Sequence, residues 1–247
     1  MTAAPFISRK TGQFSYFAQQ LGEWRWQKKH VLDFGGNVGN ILRDPDCTIR
    51  TRRYWCLDVV EESIARGREQ WPDAHWHFYD RYCFFFNPHG VPRLPLPDLG
   101  TRFDFIIAYS VFPNTDLTDM LQLVEQLQDA LADGGALAFT YIDPNYHPWD
   151  NYDGTNFTWR LKKERGNLSS DRSRDILARA AEAEWFILVN GDDLYAESED
   201  IGHYAPEAQR THHTFHTTAF MRKLFPDAEI RKPVDGEMQH CCIVRKR

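Results

Sequence analysis

A short apolar run from His30 ends in Asp33 and Phe34, followed by Gly35, Gly36, Asn37 and Gly39. Nineteen residues past Gly39, a second apolar run ends in another acid, Asp58. Glycines let a backbone approach a ligand where a Cβ would collide. A carboxylate closing the second run is placed to accept hydrogen bonds from ribose hydroxyls. Strand, Gly-rich turn, helix, strand and terminal acid describe the mononucleotide half of a doubly wound sheet, so the chemistry expected is binding of an adenosine-containing molecule. Read from Gly35, the dinucleotide pattern G-x-G-x-x-G meets Asn37 at its third position and Asn40 at its sixth, which disfavours NAD. There is no G-x-x-x-x-G-K-[ST], so no P-loop is expected.

A second group of ionisable residues lies at His212, His213 and His216. Read as part of a helix start, His212 and His216 share a face, and a histidine titrates where a general base is useful. The rival reading is a capped helix start with surface histidines. Metal binding would need Asp192, Asp193 or Glu197 to fold toward them, and no metal is expected. Tyr146, His147 and Trp149 follow an apolar run, and Tyr16 and Trp24 precede the first strand. These aromatics suit an acceptor pocket or plain packing equally. His75 and His77 alternate in a strand and read as structural.

The elements that must position these residues follow from periodicity. Phe14, Phe17, Leu21 and Trp24 predict an N-terminal helix over about 12–27. Strands are predicted at 30–34, 54–57, 75–79, 103–108 and 136–142. The helix after the first strand is cut short by Pro45, and another spans about 60–70. Leu117, Met120, Leu121, Val124, Leu127 and Leu131 share a helical face, with Gly134 and Gly135 as the stop. Near the end, 217–224 reads as a helix, and 229–232 and 240–245 read as a strand pair around Asp235 and Gly236. Alternation of strand and helix implies a mostly parallel sheet, and so tight a final pair must be antiparallel. Cys241 and Cys242 would face opposite sides. The stretch 143–215 is too long for a plain connection and reads as a cap, with a helix at 171–182, a strand at 185–189 and a turn at Asn190 and Gly191.

Composition narrows the partners. The net charge of -6 argues against nucleic acid, whose phosphates need a clustered basic surface. No apolar stretch reaches membrane-spanning length, and Met1 to Pro5 carry no signal-peptide pattern. Five scattered cysteines make no disulfide framework, so a cytoplasmic setting is expected. The 247 residues fit one domain, divided into a helix and core (12–142), a cap (143–215) and a final helix with its strand pair (216–247).

The turn resembles motif I, D-x-G-x-G-x-G, of the class I S-adenosylmethionine-dependent methyltransferases. Asp33, Gly35 and Gly39 match it, and Asn37 stands where the central glycine is usual. Four further stretches resemble the family in the right order. Asp58 matches the ribose-binding acid, and Tyr79 and Asp80 match the position beside the adenine. Phe103 to Phe112 resembles motif IV. Leu131 to Thr140 resembles the L-x-P-G-G-x-L segment, with Asp133 in place of proline. The resemblance implies a Rossmann-like α/β fold: a seven-stranded, mostly parallel sheet with an antiparallel last strand. It implies S-adenosylmethionine as cofactor, held by Asp33, Gly35, Gly36, Asn37, Gly39, Asp58, Val59, Tyr79, Asp80 and Ser110. The reaction expected is methyl transfer to O or N of a small organic acceptor, with His212, His213 or His216 as base and Tyr16, Trp24, Tyr146 and Trp149 around the acceptor. A peptide or protein acceptor, a silent nucleotide-binding protein of the same fold and an NAD-dependent oxidoreductase are the rivals. A homodimer is compatible with this reading.

Overall fold

The computed structural model describes residues 12–148, 153–191, 193–196, 212–234 and 237–247. Helix α1 (Gln13–Leu21) is followed by β1 (Val31–Phe34), β2 (Tyr54–Asp58), α2 (Glu61–Gln70), β3 (His75–Phe78) and β4 (Phe103–Ala108). Then come α3 (Leu117–Asp129), β5 (Leu131–Tyr141), α4 (Asn156–Arg165), α5 (Asp171–Glu182) and the strands β6 (Trp185–Val189), β7 (Asp193–Ala196) and β8 (His212–His216). The chain closes with α6 (Thr218–Leu224), β9 (Glu229–Arg231) and β10 (His240–Arg245).

Seven strands form one sheet in the order β3-β2-β1-β4-β5-β10-β9. The pairs among β3, β2, β1, β4 and β5 are parallel, and β10 runs antiparallel to both β5 and β9. This is the expected topology. Every residue of β1 and β2 is buried, as strands covered on both faces require. Alternate residues feed two cores. Val31, Ile107 and Cys241 pack under α1 and α2, while Leu32, Ile106 and Cys242 pack under α3 and α6. The adjacent cysteines therefore do face opposite sides.

Several boundaries differ from expectation. Helix α1 stops at Gly22, whose φ of 69 lies in the left-handed region, so Trp24 lies beyond it. The turn after β1 holds only a 3-10 segment, Asn40–Arg43, in keeping with Pro45 just beyond. Helix α3 ends at Ala130, and Gly134 and Gly135 lie inside β5, where its register against β4 shifts. A Cβ on Gly135 would come within 2.8 Å of the carbonyls of Phe103 and Ala132, so the glycine permits the shift rather than stopping the helix. Leu121 is exposed, and Leu123 takes its place in the core.

The long stretch after β5 builds a compact unit of its own. Strands β7, β6 and β8 form an antiparallel sheet, and α4 and α5 pack on one face through Phe157, Leu161, Ile176, Phe186, Leu188 and Phe215. The largest correction falls here. His212, His213 and His216 lie on β8, not on a helix start. Pairing of β8 with β6, with Phe215 stacked on Phe186 at 5.0 Å, outweighs a weak local preference. Helix α6 begins after them, capped by Thr217. Asp192, Glu197, Asp235 and Gly236 lie outside the described residues.

Candidate functional site

The carboxyl ends of β1, β2, β4 and β5 share one rim, the place where open α/β sheets bind ligands. At the end of β1 the backbone turns through left-handed conformations at Gly35 (φ 74), Asn37 (φ 54) and Gly39 (φ 77). Asn37 adopts the conformation that a glycine would otherwise supply, which asparagine tolerates better than most residues. The Gly35 N–H donates to Leu57 O at 2.7 Å, tying the turn to β2.

Asp58 closes β2 and completes the turn. Its Oδ2 accepts the Asn37 N–H and its Oδ1 the Val60 N–H, each at 2.8 Å. Each oxygen keeps a second lone pair for a ligand hydroxyl. Burial pushes the Asp58 pKa up, while the N–H groups of Val60, Asn37 and Val59 pull it down. The acid thus holds the turn in shape and remains at the rim, 8% exposed. Asp58→Ala removes both roles. Cofactor affinity should fall by roughly 1.5–3 kcal/mol, the worth of hydrogen bonds to a charged group, or about 10- to 150-fold. Titration calorimetry checks it, and an unchanged affinity removes Asp58 from the site.

Asp33 sits beneath the turn, 2% exposed. Its Oδ2 accepts the Tyr54 hydroxyl at 2.8 Å, and burial, only partly opposed by that bond, pushes its pKa up to about 7. A Cβ on Gly36 would fall 2.6 Å from the Asp33 carboxyl, so Gly36 serves the packing of the turn on this acid. Val59 is half-buried against the α3-side core. The Tyr79 ring turns into that core and its hydroxyl donates to Leu94 O, while exposed Asp80 accepts the Asn87 amide at 3.0 Å. Of this pair, Asp80 is the one at the surface. The glycine-flanked turn and the acid beside it fit the ribose of a nucleoside.

Beyond β4, Ser110 is also left-handed (φ 58). Its N–H donates to Thr140 Oγ1 at 2.7 Å, its Oγ accepts Gln239 Nε2 at 3.1 Å, and Thr140 Oγ1 donates to Gln239 Oε1 at 2.6 Å. Tyr109 donates to Glu237 Oε2 at 2.7 Å, and Tyr16 donates to the Gln239 carbonyl at 3.0 Å. One network therefore joins α1, the β4 exit, β5 and the entry to β10. Tyr16 is 1% exposed and supports this wall from behind. Sequence reasoning missed Glu237 and Gln239. They lie 128 and 129 residues from their partners, and no local pattern marks them.

The remaining sequence candidates fall elsewhere. Trp24 is 47% exposed. Its carbonyl is bound by Thr48, ahead of β2, and its near neighbour Trp26 packs on Phe105, opposite the first residue of β1. That is the amino end of the sheet, opposite the rim. Tyr146 stands at the rim near His240, with ring centroids 4.9 Å apart. Trp149 lies outside the described residues. The three histidines do not converge. His212 bonds Thr214 at 3.1 Å and faces Phe84. His213 points to the other face, 3.4 Å from Glu164. His216 is wholly buried between Trp185 and Phe220, with no partner for either nitrogen. Burial pushes the His212 pKa down to about 4 and that of His216 to about 3. Among the described residues no group of three or more His, Cys, Asp and Glu gathers as metal ligands would.

Residues 32–137 match a family model described as a methyltransferase domain. No curated protein matches the chain. Among solved structures, the glycopeptide N-methyltransferase MtfA has a TM-score of 0.55 at 12% identity, over 98% of this chain and 92% of that one. The same enzyme complexed with S-adenosyl-L-homocysteine gives 0.52 at 13%, covering 99% and 92%. CalS10 from Micromonospora echinaspora, an amino pentose methyltransferase with S-adenosylmethionine bound, gives 0.54 at 14%, covering 95% and 90%. At these identities the likeness is one of fold.

Proposed function

We propose that this chain, whose residues 32–137 match a methyltransferase domain and whose fold is that of such enzymes, is a class I S-adenosylmethionine-dependent methyltransferase, and that the methyl acceptor is a small organic molecule, methylated on O or N. The observation that carries this is the roof over the rim. Strand β8 is fastened above the exits of β4 and β5 by the Thr214 hydroxyl on Thr115 O, by the Phe215 bridge to Ile142, and by the His216 N–H on Ile142 O at 3.0 Å. A roofed rim suits a small acceptor better than a folded protein surface. The net charge of -6 disfavours nucleic acid. By their names, two of the structural neighbours act on a glycopeptide and an amino pentose.

The chain's own residues divide the task. The turn from Gly35 to Gly39 and Asp58 hold the cofactor's nucleoside half. The Ser110–Thr140–Gln239 network fixes the backbone facing the acceptor. The unit on β6–β8 excludes water, and orientation with dehydration supplies much of the acceleration in a simple displacement. The bound cofactor contributes a methyl carbon on a good leaving group. With His212 and His216 buried as neutral rings, the three-histidine base of the sequence reading has no support in the geometry. All five cysteines are free, which supports a reducing, cytoplasmic setting, and no described helix is long and apolar enough to cross a membrane.

Calorimetry should find binding of S-adenosylmethionine and S-adenosylhomocysteine and none of NAD. The reverse pattern overturns the cofactor assignment. The acceptor is then sought by mass spectrometry of a metabolite extract supplied with the cofactor. Products heavier by one CH2 are expected in the small-molecule fraction, and labelling confined to proteins would overturn the acceptor class.

A further inference from the structure

Near the carboxyl end of β5 the fold leaves two buried polar atoms without a partner, Nδ1 of His240 and Oδ1 of Asn156. His240 is 5% exposed and Asn156 1%. Native proteins pair the large majority of such atoms, and the exceptions call for an explanation. The two belong to one neighbourhood. Asn156 donates its amide to Met238 O and Asp143 O, both at 2.9 Å, and its backbone N–H to Tyr146 O at 2.8 Å. The Tyr146 ring meets His240 edge-on at 4.9 Å, and Tyr141 flanks it at 5.4 Å. His240 opens β10 directly opposite Tyr141, the last residue of β5, which places it on the same rim as Ser110 and Asp58.

The surroundings select a chemistry. Burial pushes the His240 pKa down to about 4, so at neutral pH the ring is uncharged and one nitrogen accepts. The Asn156 oxygen only accepts. Nδ1 of His240 accepts in the tautomer that carries its proton on Nε2, so a donating hydroxyl satisfies either atom. The Asp143 carboxylate is already committed to the N–H and hydroxyl of Thr218 and to the Asn145 N–H. Asp143 favours positive charge at this ring and Lys232 and Arg222 oppose it, so burial, the largest cause, keeps the ring neutral and suits it to a neutral hydroxyl. The half-buried Tyr146 supplies a flat wall for an aromatic ring.

Resting on the methyltransferase reading above, we propose that His240 and Asn156 form the subsite that receives the hydroxyl of a phenolic acceptor. The hydroxyl donates to one of the two orphaned atoms, and the ring lies against Tyr146. This names an acceptor class that the Gly turn and Asp58 do not determine.

Phenol and anisole, which differ in the O–H, are the probes. Each is titrated into the S-adenosylhomocysteine complex of the full chain. Phenol should bind at least 10-fold tighter than anisole. In His240→Phe that preference should shrink to within 2-fold, with S-adenosylhomocysteine affinity within 3-fold of the parent. Histidine 15N spectra of the unsubstituted protein give a second reading that does not depend on the variant folding: phenol should shift the His240 ring signals and anisole should not. Equal binding of the two probes, binding of neither, a preference that survives His240→Phe, or His240 signals unmoved by phenol overturns the subsite. Failure of S-adenosylhomocysteine to bind the parent would instead sink the cofactor reading, and the two failures are thereby distinguished.

Discussion

Binding of S-adenosylmethionine should be lost in Gly35→Val, with the dissociation constant raised at least about 100-fold, a cost of about 2.7 kcal/mol. Two structural facts set this expectation. Gly35 has φ 74, where a β-branched residue is a true outlier costing of order 1–3 kcal/mol. A Cβ there would also stand 2.4 Å from Val111 Cγ2. Relief of the clash moves either the turn or the β4 exit, and both belong to the rim. The Gly35 N–H bond to Leu57 O and the Asn37 N–H bond to Asp58 move with the turn. Gly100→Ala is the control. Its φ is 68 with nothing within 4 Å of an added Cβ, so it carries backbone strain away from the rim. Circular dichroism should find both variants folded, and calorimetry should find full affinity only in the control. Normal binding by Gly35→Val would mean that the turn plays no part in holding the cofactor.

His216→Leu should stabilise the protein, and by more as the pH falls. His216 is fully buried among aromatic rings with both nitrogens unpaired. Removing the cost of an unsatisfied buried group while keeping the side chain apolar is worth about 1–3 kcal/mol. The pH dependence follows by linkage. Burial holds the folded pKa at about 3, below the value of about 6.5 for an exposed histidine. Between those values the unfolded chain binds a proton that the folded chain refuses. The stability contributed by the neutral ring is therefore present above the unfolded pKa and is lost as the pH falls toward the folded one. At about pH 4.5 the loss is about 2–3 kcal/mol from this residue, relative to neutral pH. His212, held at about 4, acts in the same sense. Asp33, raised to about 7, acts in the opposite sense, because its folded form gains a proton as the pH drops. The difference between His216→Leu and the parent cancels the Asp33 contribution. Thermal melts from pH 7 to 4.5 should show that difference widening by about 2–3 kcal/mol. A constant difference would mean that His216 is protonated or solvated in the fold.

The histidines also show why a correct pattern can mislead. Spacing of four places His212 and His216 on one face of a helix, and in the strand they occupy they again share a face, because the strand period of two divides four. The shared face survives the change of secondary structure, but its surroundings do not. On β8 that face meets Trp185, Phe220 and the segment at Thr115, and a ring packed there is a neutral filler.

What the sequence determined by itself was the frame that local chemistry encodes. Left-handed turns need Gly35, Asn37 and Gly39. Strands covered on both faces need continuous apolar runs such as residues 54–57 and 105–108. A strand ending in Asp58 places an acid at the rim. Each of these is written within a few neighbouring residues, so topology and the glycine turn with its acid were legible. The tertiary structure alone decided the other side of the rim. Gln239 reaches Ser110 and Thr140, and His240 reaches Tyr141, only because β10 returns antiparallel along β5 in one register. Asn156 joins them from a helix built far from that strand. Burial then sets whether a histidine is charged, and burial is a property of everything packed around it. No short window of the chain contains that information, because His240 meets Tyr141 and Tyr146 and His216 meets Trp185 only through the fold.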